Sequence, residues 1–339
     1  MNVIKNLQKL IAQRDVVRAS LAVKDAYGAD VLLEFTSFDL CPLSVLWRFQ
    51  NETPHFTFHS DLKVGQGLEM IVDRWIGLLP LVKRFIAQRG PFKQTIVINF
   101  ADEGVDPGIA FSDWRSERTL ITDPVFIGHQ AYERARQCFS DERQRPWSDR
   151  RDVAFWRGSS TGYRPGTKQP LPRAQLCEIA RSEKARNFDV GITQIVDVDE
   201  EHKTLIETKG YLTNYETWEL LDQYKFHIDI DGHSNSWPGL LLKLHSGGLV
   251  FKVESLLGHK QWYYERLLPW QNYVPVKADM SDLISLVEYF RRNDADARRI
   301  AAEGQKLARS MDLETELDKG VSAIASHLIK MEIAELYDH

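Results

Sequence analysis

The chain has 339 residues, of which 43% are hydrophobic and 27% charged, and its formal net charge is -5. That length exceeds what a single hydrophobic core usually supports, so two domains are the default expectation. The acidic balance gives no global field to attract nucleic acid, and no apolar run approaches the length of a membrane span.

In chain order, residues 1–10 read as an amphipathic helix rather than a signal peptide, because charges interrupt every apolar run. Residues 31–35 predict a buried strand and residues 67–89 a helix. Residues 95–100 form a continuous apolar run of the kind that lies inside a parallel sheet. Asp102 follows at once, so its carboxylate belongs at the mouth of that strand. Read locally, an aspartate ahead of Glu103 and Gly104 is equally a turn former, and Asp106 is close enough to be confused with it. From about 140 to 152 the chain turns polar, which sets a boundary there. One lobe then spans 1–150 and a second 151–311. Residues 312–339 hold a long final helix that can cross back onto the first lobe.

The most informative stretch is Ala154-Phe155-Trp156-Arg157-Gly158-Ser159-Ser160-Thr161-Gly162. An apolar strand here runs into small and hydroxyl-bearing residues with one arginine at the edge. Gly158 and Gly162 allow positive φ and close approach, and the hydroxyls and Arg157 suit phosphate oxygens. Arg173 opens a helix over 173–181, where a cation is unfavourable with the helix dipole unless an anion shares the site. Residues 224–231 alternate like a buried strand and break at Gly232 into a loop carrying Ser236, Trp237, Pro238 and Gly239. A helix with Lys243 follows, then a strand over 248–252, the aromatic group Trp262, Tyr263, Tyr264, Trp270 and Tyr273, and helical segments from 279 onward. Strands alternating with helices in two lobes imply two doubly wound sheets with a cleft between them, and such sheets bind ligands beyond the carboxyl ends of their strands.

This order of segments resembles glycosyltransferase family 90, and the bacterial branch in particular. The resemblance covers roughly 95–311 and rests on Phe155-Trp156-Arg157-Gly158-Ser159, the Lys225 to Gly232 strand with Ser236, Leu268-Pro269-Trp270 through Val276, and Asn293-Asp294 through Gly304. It implies the GT-B fold, two Rossmann-like α/β lobes flanking a cleft. It also implies an inverting transferase that moves a sugar from a UDP-sugar of the UDP-glucose or UDP-xylose class to a hydroxyl of a lipopolysaccharide core or other surface glycan. Asp102 would be the general base. Arg157, Gly158, Ser159, Thr161, Arg173, Lys225, Gly232, Ser236, Trp237 and Lys243 would bind the donor. No metal and no cofactor beyond the co-substrate are expected, and nucleic acid is not an expected partner.

Three positions depart from the family pattern. Pro238 stands where secretory members carry an arginine, a loss that Lys225 or Lys243 could make good. Asn272 replaces a histidine found in many members and Asp231 an arginine found in some. Pro238 also motivates an alternative reading, a non-catalytic nucleotide- or glycan-binding protein on the same fold.

Other patterns compete for the chemistry. Asp229 with Asp231, or Asp197 with Asp199, could hold a divalent cation as an acidic pair. His202, His227, His233, His245 and His259 show no zinc-like spacing. The aromatic group reads more readily as core than as a sugar platform. The run Arg143, Arg145, Arg150, Arg151 and Arg157 is either a solvated linker face or the rim of an anion site. Cys41, Cys138 and Cys177, odd in number and unpaired by spacing, suit a reducing compartment. A cytoplasmic enzyme is therefore expected, with peripheral attachment to the inner membrane left open.

Overall fold

The computed structural model describes residues 18, 31–62, 67–162, 171–182 and 184–337. The helix expected over 1–10 lies outside the described residues, as do Asp338 and His339. Packing divides the chain into two units. One comprises Met1–Ala131, Lys260–Trp262 and Asp312–His339, and the other Tyr132–His259 and Tyr263–Met311. Residues 132–150 thus group with the second unit, not with the first.

The first unit contains β1 (Leu32–Thr36), β2 (Ser44–Gln50), β3 (Thr53–His59), α1 (Leu68–Arg89), β4 (Ile96–Asn99), β5 (Ile109–Ala110), β6 (Ser112–Asp113), β7 (Thr119–Leu120) and α2 (Pro124–Gly128). Its main sheet has the order β1-β3-β2-β4-β5-β7. β2 runs antiparallel to both neighbours, and the other pairs are parallel. The antiparallel step comes from a two-residue hairpin at Asn51 and Glu52, which take φ of 50° and 66°. Positive φ at both central residues gives the twist a tight hairpin needs, a conformation usually signalled by Asn-Gly. Without the glycine, the hairpin was not legible in the sequence. α1 buries Ile71, Trp75, Leu78, Val82 and Phe85 at helical spacing. Trp75 meets the rings of Phe56 and Phe58 edge-on at 5.4 and 5.5 Å.

The second unit contains α3 (Glu133–Cys138), β8 (Arg151–Ser159), α4 (Pro172–Ala180), β9 (Phe188–Gln194), α5 (Glu200–Thr208), β10 (Tyr224–Asp229), α6 (Pro238–His245) and β11 (Leu249–Val253). β12 (Lys260–Gln261) is a short excursion that pairs with β6 of the first unit. β13 (Val274–Val276), α7 (Leu283–Arg292) and α8 (Asp294–Ser310) complete the second unit, and α9 (Leu313–Tyr337) closes the chain within the first. α9 is tied to α1 through Arg84, which pairs with Asp318 at 2.7 Å and with Glu314.

The second sheet is wholly parallel in the order β13-β11-β10-β8-β9. From β8 the chain moves outward to β9, returns across β8 to β10, and then proceeds outward to β11 and β13. β8 and β10 are therefore neighbours whose connections leave in opposite directions. In an open α/β sheet this is the switch point, and the crevice beyond its strand ends is where ligands bind. Its core includes Ala154, Phe226, Ile228, Leu249 and Phe251, all fully buried.

Cys41, Cys138 and Cys177 are free thiols. Among the described residues, no helix is long and apolar enough to cross a membrane.

Candidate functional site

The segment read as a turn from 157 begins inside a strand. Arg157, Gly158 and Ser159 are the last residues of β8 and pair with Gly191, Ile192 and Gln194 of β9. Gly158 has no positive φ; a Cβ there would lie 2.7 Å from the indole of Trp156, so the glycine serves close approach. Gly162 alone of the two is left-handed, at φ 108°. The amide of Ser160 donates to the Gln194 carbonyl at 2.9 Å, and its hydroxyl donates to the Val196 carbonyl at 2.9 Å. Part of the expected phosphate cradle is thus spent on the sheet.

Arg173 is likewise committed within the protein. Its Nε donates to the Asp231 carbonyl at 3.0 Å and Nη2 to the Ile230 carbonyl at 3.3 Å. Nη1 donates to the Ser159 carbonyl at 3.0 Å and to Thr161 Oγ1 at 2.7 Å. A guanidinium has five N–H groups, so little capacity is left for a ligand. Arg173 therefore fastens the ends of β8 and β10, a structural use that the sequence reading of it as a donor-binding residue did not foresee. The tie explains Gly232, where a Cβ would stand 2.6 Å from Thr161 Oγ1 and 2.9 Å from Arg173 Nη2. Burial pushes the Arg173 pKa down to about 10, with Asp231 and Asp229 opposing, so the group stays charged at neutral pH.

Across the switch point, β10 ends at Asp229, which is fully buried. Its Oδ1 accepts from Ser236 Oγ at 2.7 Å and from Lys243 Nζ at 2.8 Å, and its Oδ2 from Lys252 Nζ at 3.2 Å. Burial pushes this carboxyl up, but Lys243 and Lys252 more than offset it and hold the group well below the usual carboxylate range. Two ammonium groups occupy the places a cation would need, which corrects the reading of Asp229 and Asp231 as a metal pair. Asp199 instead caps α5 by accepting from the His202 amide at 2.8 Å, and Asp197 meets His233 at 3.1 Å. Among the described residues, no group of three His, Cys, Asp or Glu side chains is arranged to hold a metal ion.

Lys225 is also corrected. It sits at the start of β10, the end opposite Asp229, and pairs with Asp294 at 2.7 Å. A strand advances about 3.3 Å per residue, so Lys225 is more than ten ångströms from the carboxyl end of its strand. Lys243, in contrast, meets Asp229 at the carboxyl end of β10. Trp237 immediately precedes α6 with φ 48° and ψ -114°, an uncommon conformation for a bulky residue.

Arg157, Gly158, Pro238, Gly239 and Lys243 line one cavity of about 300 Å³. Phe155, Tyr215 and Trp218 add aromatic walls, and Glu216 and Thr217 polar ones. Arg157 is held in place by Asp189, through its side chain and through the carbonyl at 2.8 Å. The lining thus combines two cations with aromatic rings, and the Arg157 guanidinium lies over the Phe155 ring at 4.8 Å. Residues 215–218 and Asp189 carry no glycine or motif signal, and nothing in the sequence singled them out.

In the first unit, Asp102 follows β4 as expected and pairs with Arg74 at 2.7 Å, while its side chain stays 37% exposed. Arg74 also donates to the Phe100 carbonyl, which fixes the guanidinium beside the strand end. Asp106 differs. It is buried and accepts from Ser44 Oγ at 2.6 Å and the Cys41 amide at 2.9 Å, a structural use that separates it from Asp102.

Residues 78–329, most of the chain, match the model of glycosyl transferase family 90. The chain belongs to this family. Two α/β units, each built on its own sheet, are the composition of the GT-B class expected from sequence. Among curated relatives, protein O-glucosyltransferase 3 of Rattus norvegicus is 28% identical over 218 residues, covering 61% of this chain and 39% of that protein. Uncharacterized protein 035R of Invertebrate iridescent virus 3 is 34% identical over 181 residues, 51% of this chain and 16% of that one. The chain thus spans well under half the length of these relatives. Among solved structures, TarM aligns with TM-score 0.39 and 13% identity over 55% of this chain and 38% of that one.

The departures from the family 90 pattern acquire local reasons. Pro238 is the first residue of α6, where a missing N–H costs nothing and the fixed φ suits the helix start. Asn272 accepts from the Leu268 amide at 2.9 Å and donates to the Glu303 carbonyl at 3.2 Å, tying its loop to α8. Tyr263 is fully buried, as core rather than platform, and Trp270 is exposed. Arg150 is buried and donates to the Ser246 carbonyl at 2.8 Å, so the basic run is in part internal.

Proposed function

We propose that this chain is an inverting glycosyltransferase that takes a sugar from a UDP-sugar, of the UDP-glucose or UDP-xylose class, and delivers it to a hydroxyl of a lipopolysaccharide core or other surface glycan. The observation that carries the reading is the cavity beside β8 and the start of α6, whose lining combines Arg157 and Lys243 with Phe155, Tyr215 and Trp218. A diphosphate needs the cations, and a nucleobase needs flat apolar surface.

As the glycosidic bond breaks, negative charge grows on the departing diphosphate while the sugar becomes oxocarbenium-like. Arg157 and Lys243, each already oriented by a carboxylate, would meet that charge without reorganising. Asp102, oriented by Arg74, would take the proton of the acceptor hydroxyl as it attacks the face opposite the leaving group, which inverts the anomeric centre. General-base assistance of this kind contributes on the order of a hundred- to ten-thousand-fold. The reaction as proposed needs no metal. A cytoplasmic site of action belongs to the same proposal, since three free thiols suit a reducing compartment.

Thermal shift with a panel of nucleotide sugars in EDTA tests the reading. A donor present at a hundred times its Kd stabilises by about 2.7 kcal/mol, an easily measured rise in melting temperature. Uridine diphosphate sugars should produce it and purine nucleotide sugars should not. A panel without response, or a response that needs Mn²⁺, contradicts the proposal.

A further inference from the structure

Asp229 does not itself line the cavity around Lys243, yet it holds Lys243, which does, and Ser236 beside it. Ser236 Oγ at 2.7 Å and Lys243 Nζ at 2.8 Å converge on the same oxygen, Oδ1. They also stand side by side at the first turn of α6, since a Cβ on Gly239 would lie 3.4 Å from both Lys243 Nζ and Ser236 Oγ. The opposite oxygen is held by Lys252, buried itself and backed by Asp231 at 3.9 Å.

The hydrogen count gives this arrangement a direction. An ionised carboxylate can only accept, so the one hydroxyl proton of Ser236 points at Asp229. Ser236 then offers only lone pairs to a ligand and cannot donate to a phosphate oxygen. Lys243 gives one of its three N–H groups to Asp229 and keeps two. Lys252 supplies the second counter-charge, so the carboxylate does not confront an incoming anion with a net negative centre.

We propose that Asp229 is a positioning residue for the nucleotide-sugar site, aiming the Lys243 ammonium at the diphosphate and turning Ser236 into an acceptor for a ligand hydroxyl. The inference rests on the donor reading above. It assigns the charge lost at Pro238 to a lysine that works only when its aspartate holds it. A merely structural Asp229 would affect binding independently of Lys243.

Calorimetric titration with UDP distinguishes the two in a double-mutant cycle of Lys243→Met and Asp229→Asn. Each single variant is expected to weaken UDP binding about tenfold, and the double variant to be no weaker than Lys243→Met alone within about twofold. Because Asp229→Asn leaves the buried Lys252 and the partly buried Lys243 without a counter-charge, the same cycle is run on a Lys252→Met background should the single variant not fold. Losses that multiply to about a hundredfold in the double variant, or an Asp229→Asn protein that binds UDP normally, overturn the inference alone. A wild-type protein that does not bind UDP overturns the donor reading and this inference with it.

Discussion

Arg173 Nη1 lies 2.7 Å from Thr161 Oγ1, and the same guanidinium reaches the carbonyls of Ser159, Ile230 and Asp231. One buried side chain therefore joins the carboxyl ends of β8 and β10, the two strands that define the switch point. A lysine cannot repeat this, because it lacks the planar fork that serves several carbonyls at once. Arg173→Lys is expected to destabilise the protein by about 2–4 kcal/mol, read as a lower midpoint in urea denaturation. A variant with wild-type stability and a selective loss of UDP affinity would return Arg173 to the ligand.

Lys243 and Lys225 separate just as clearly. Both were candidates from sequence for the charge missing at Pro238, but only Lys243 lines the cavity. Lys225→Met should leave UDP affinity within about twofold, since its pair with Asp294 is a partly exposed one of small worth. Parallel titrations of Lys225→Met and Lys243→Met check this, and equal losses would contradict the assignment.

His245 predicts an acid weakness. Its ring is buried in the second unit, and both nitrogens lack a hydrogen-bond partner. Burial, with Arg136 and Arg309 adding to it, pushes its pKa down to about 3. The unfolded chain takes up the proton first, so this contribution to stability is full above pH 6.5 and is lost as pH falls toward 3. His227, also held neutral by burial, acts in the same direction. Denaturation measured from pH 7 to pH 4 should show stability falling, and His245→Leu should reduce the fall while changing stability at pH 7 by about 1 kcal/mol or less. An unchanged pH profile in the variant would exclude His245 as a source.

Asp123 predicts the opposite slope. It caps α2 by accepting from the Val125 and Phe126 amides. Burial pushes its pKa up to about 6 although those amides favour the charged form. The folded state binds the proton more tightly, so the stability gained is present below pH 3.8 and lost as pH rises through 6. Asparagine keeps the cap without the charge. Asp123→Asn should raise stability by about 2 kcal/mol at pH 7 and have little effect near pH 3.5, as thermal melts at the two values would show. A loss at pH 7 would mean that the charge itself is needed there.

How far these features were legible differs between the units. The second unit could be read closely because a parallel sheet writes each strand as an apolar run and each crossover as a helix; β8, β10, α6 and β11 all lie within a few residues of their expected positions. The first unit concealed its hairpin, since Asn51 and Glu52 reach left-handed φ without a glycine and β3 alternates with histidines and threonines. At the site, sequence named the residue types at the strand ends but not where each side chain is engaged. Ser160, Arg173 and Ser236 have hydrogen-bond partners up to 58 residues away, which no local pattern encodes. Lys225 failed for a simpler reason: a strand has two ends, and only one of them faces the ligand crevice.

In the proposed mechanism Asp102 supplies the base for sugar transfer while Arg157 and Lys243 hold the nucleotide. Transfer and UDP binding by wild type and Asp102→Asn, assayed side by side with a donor identified from the nucleotide-sugar panel, test it directly. The variant is expected to bind UDP as tightly as wild type and to lose transfer by about a hundredfold or more. Equal transfer by both proteins would contradict it.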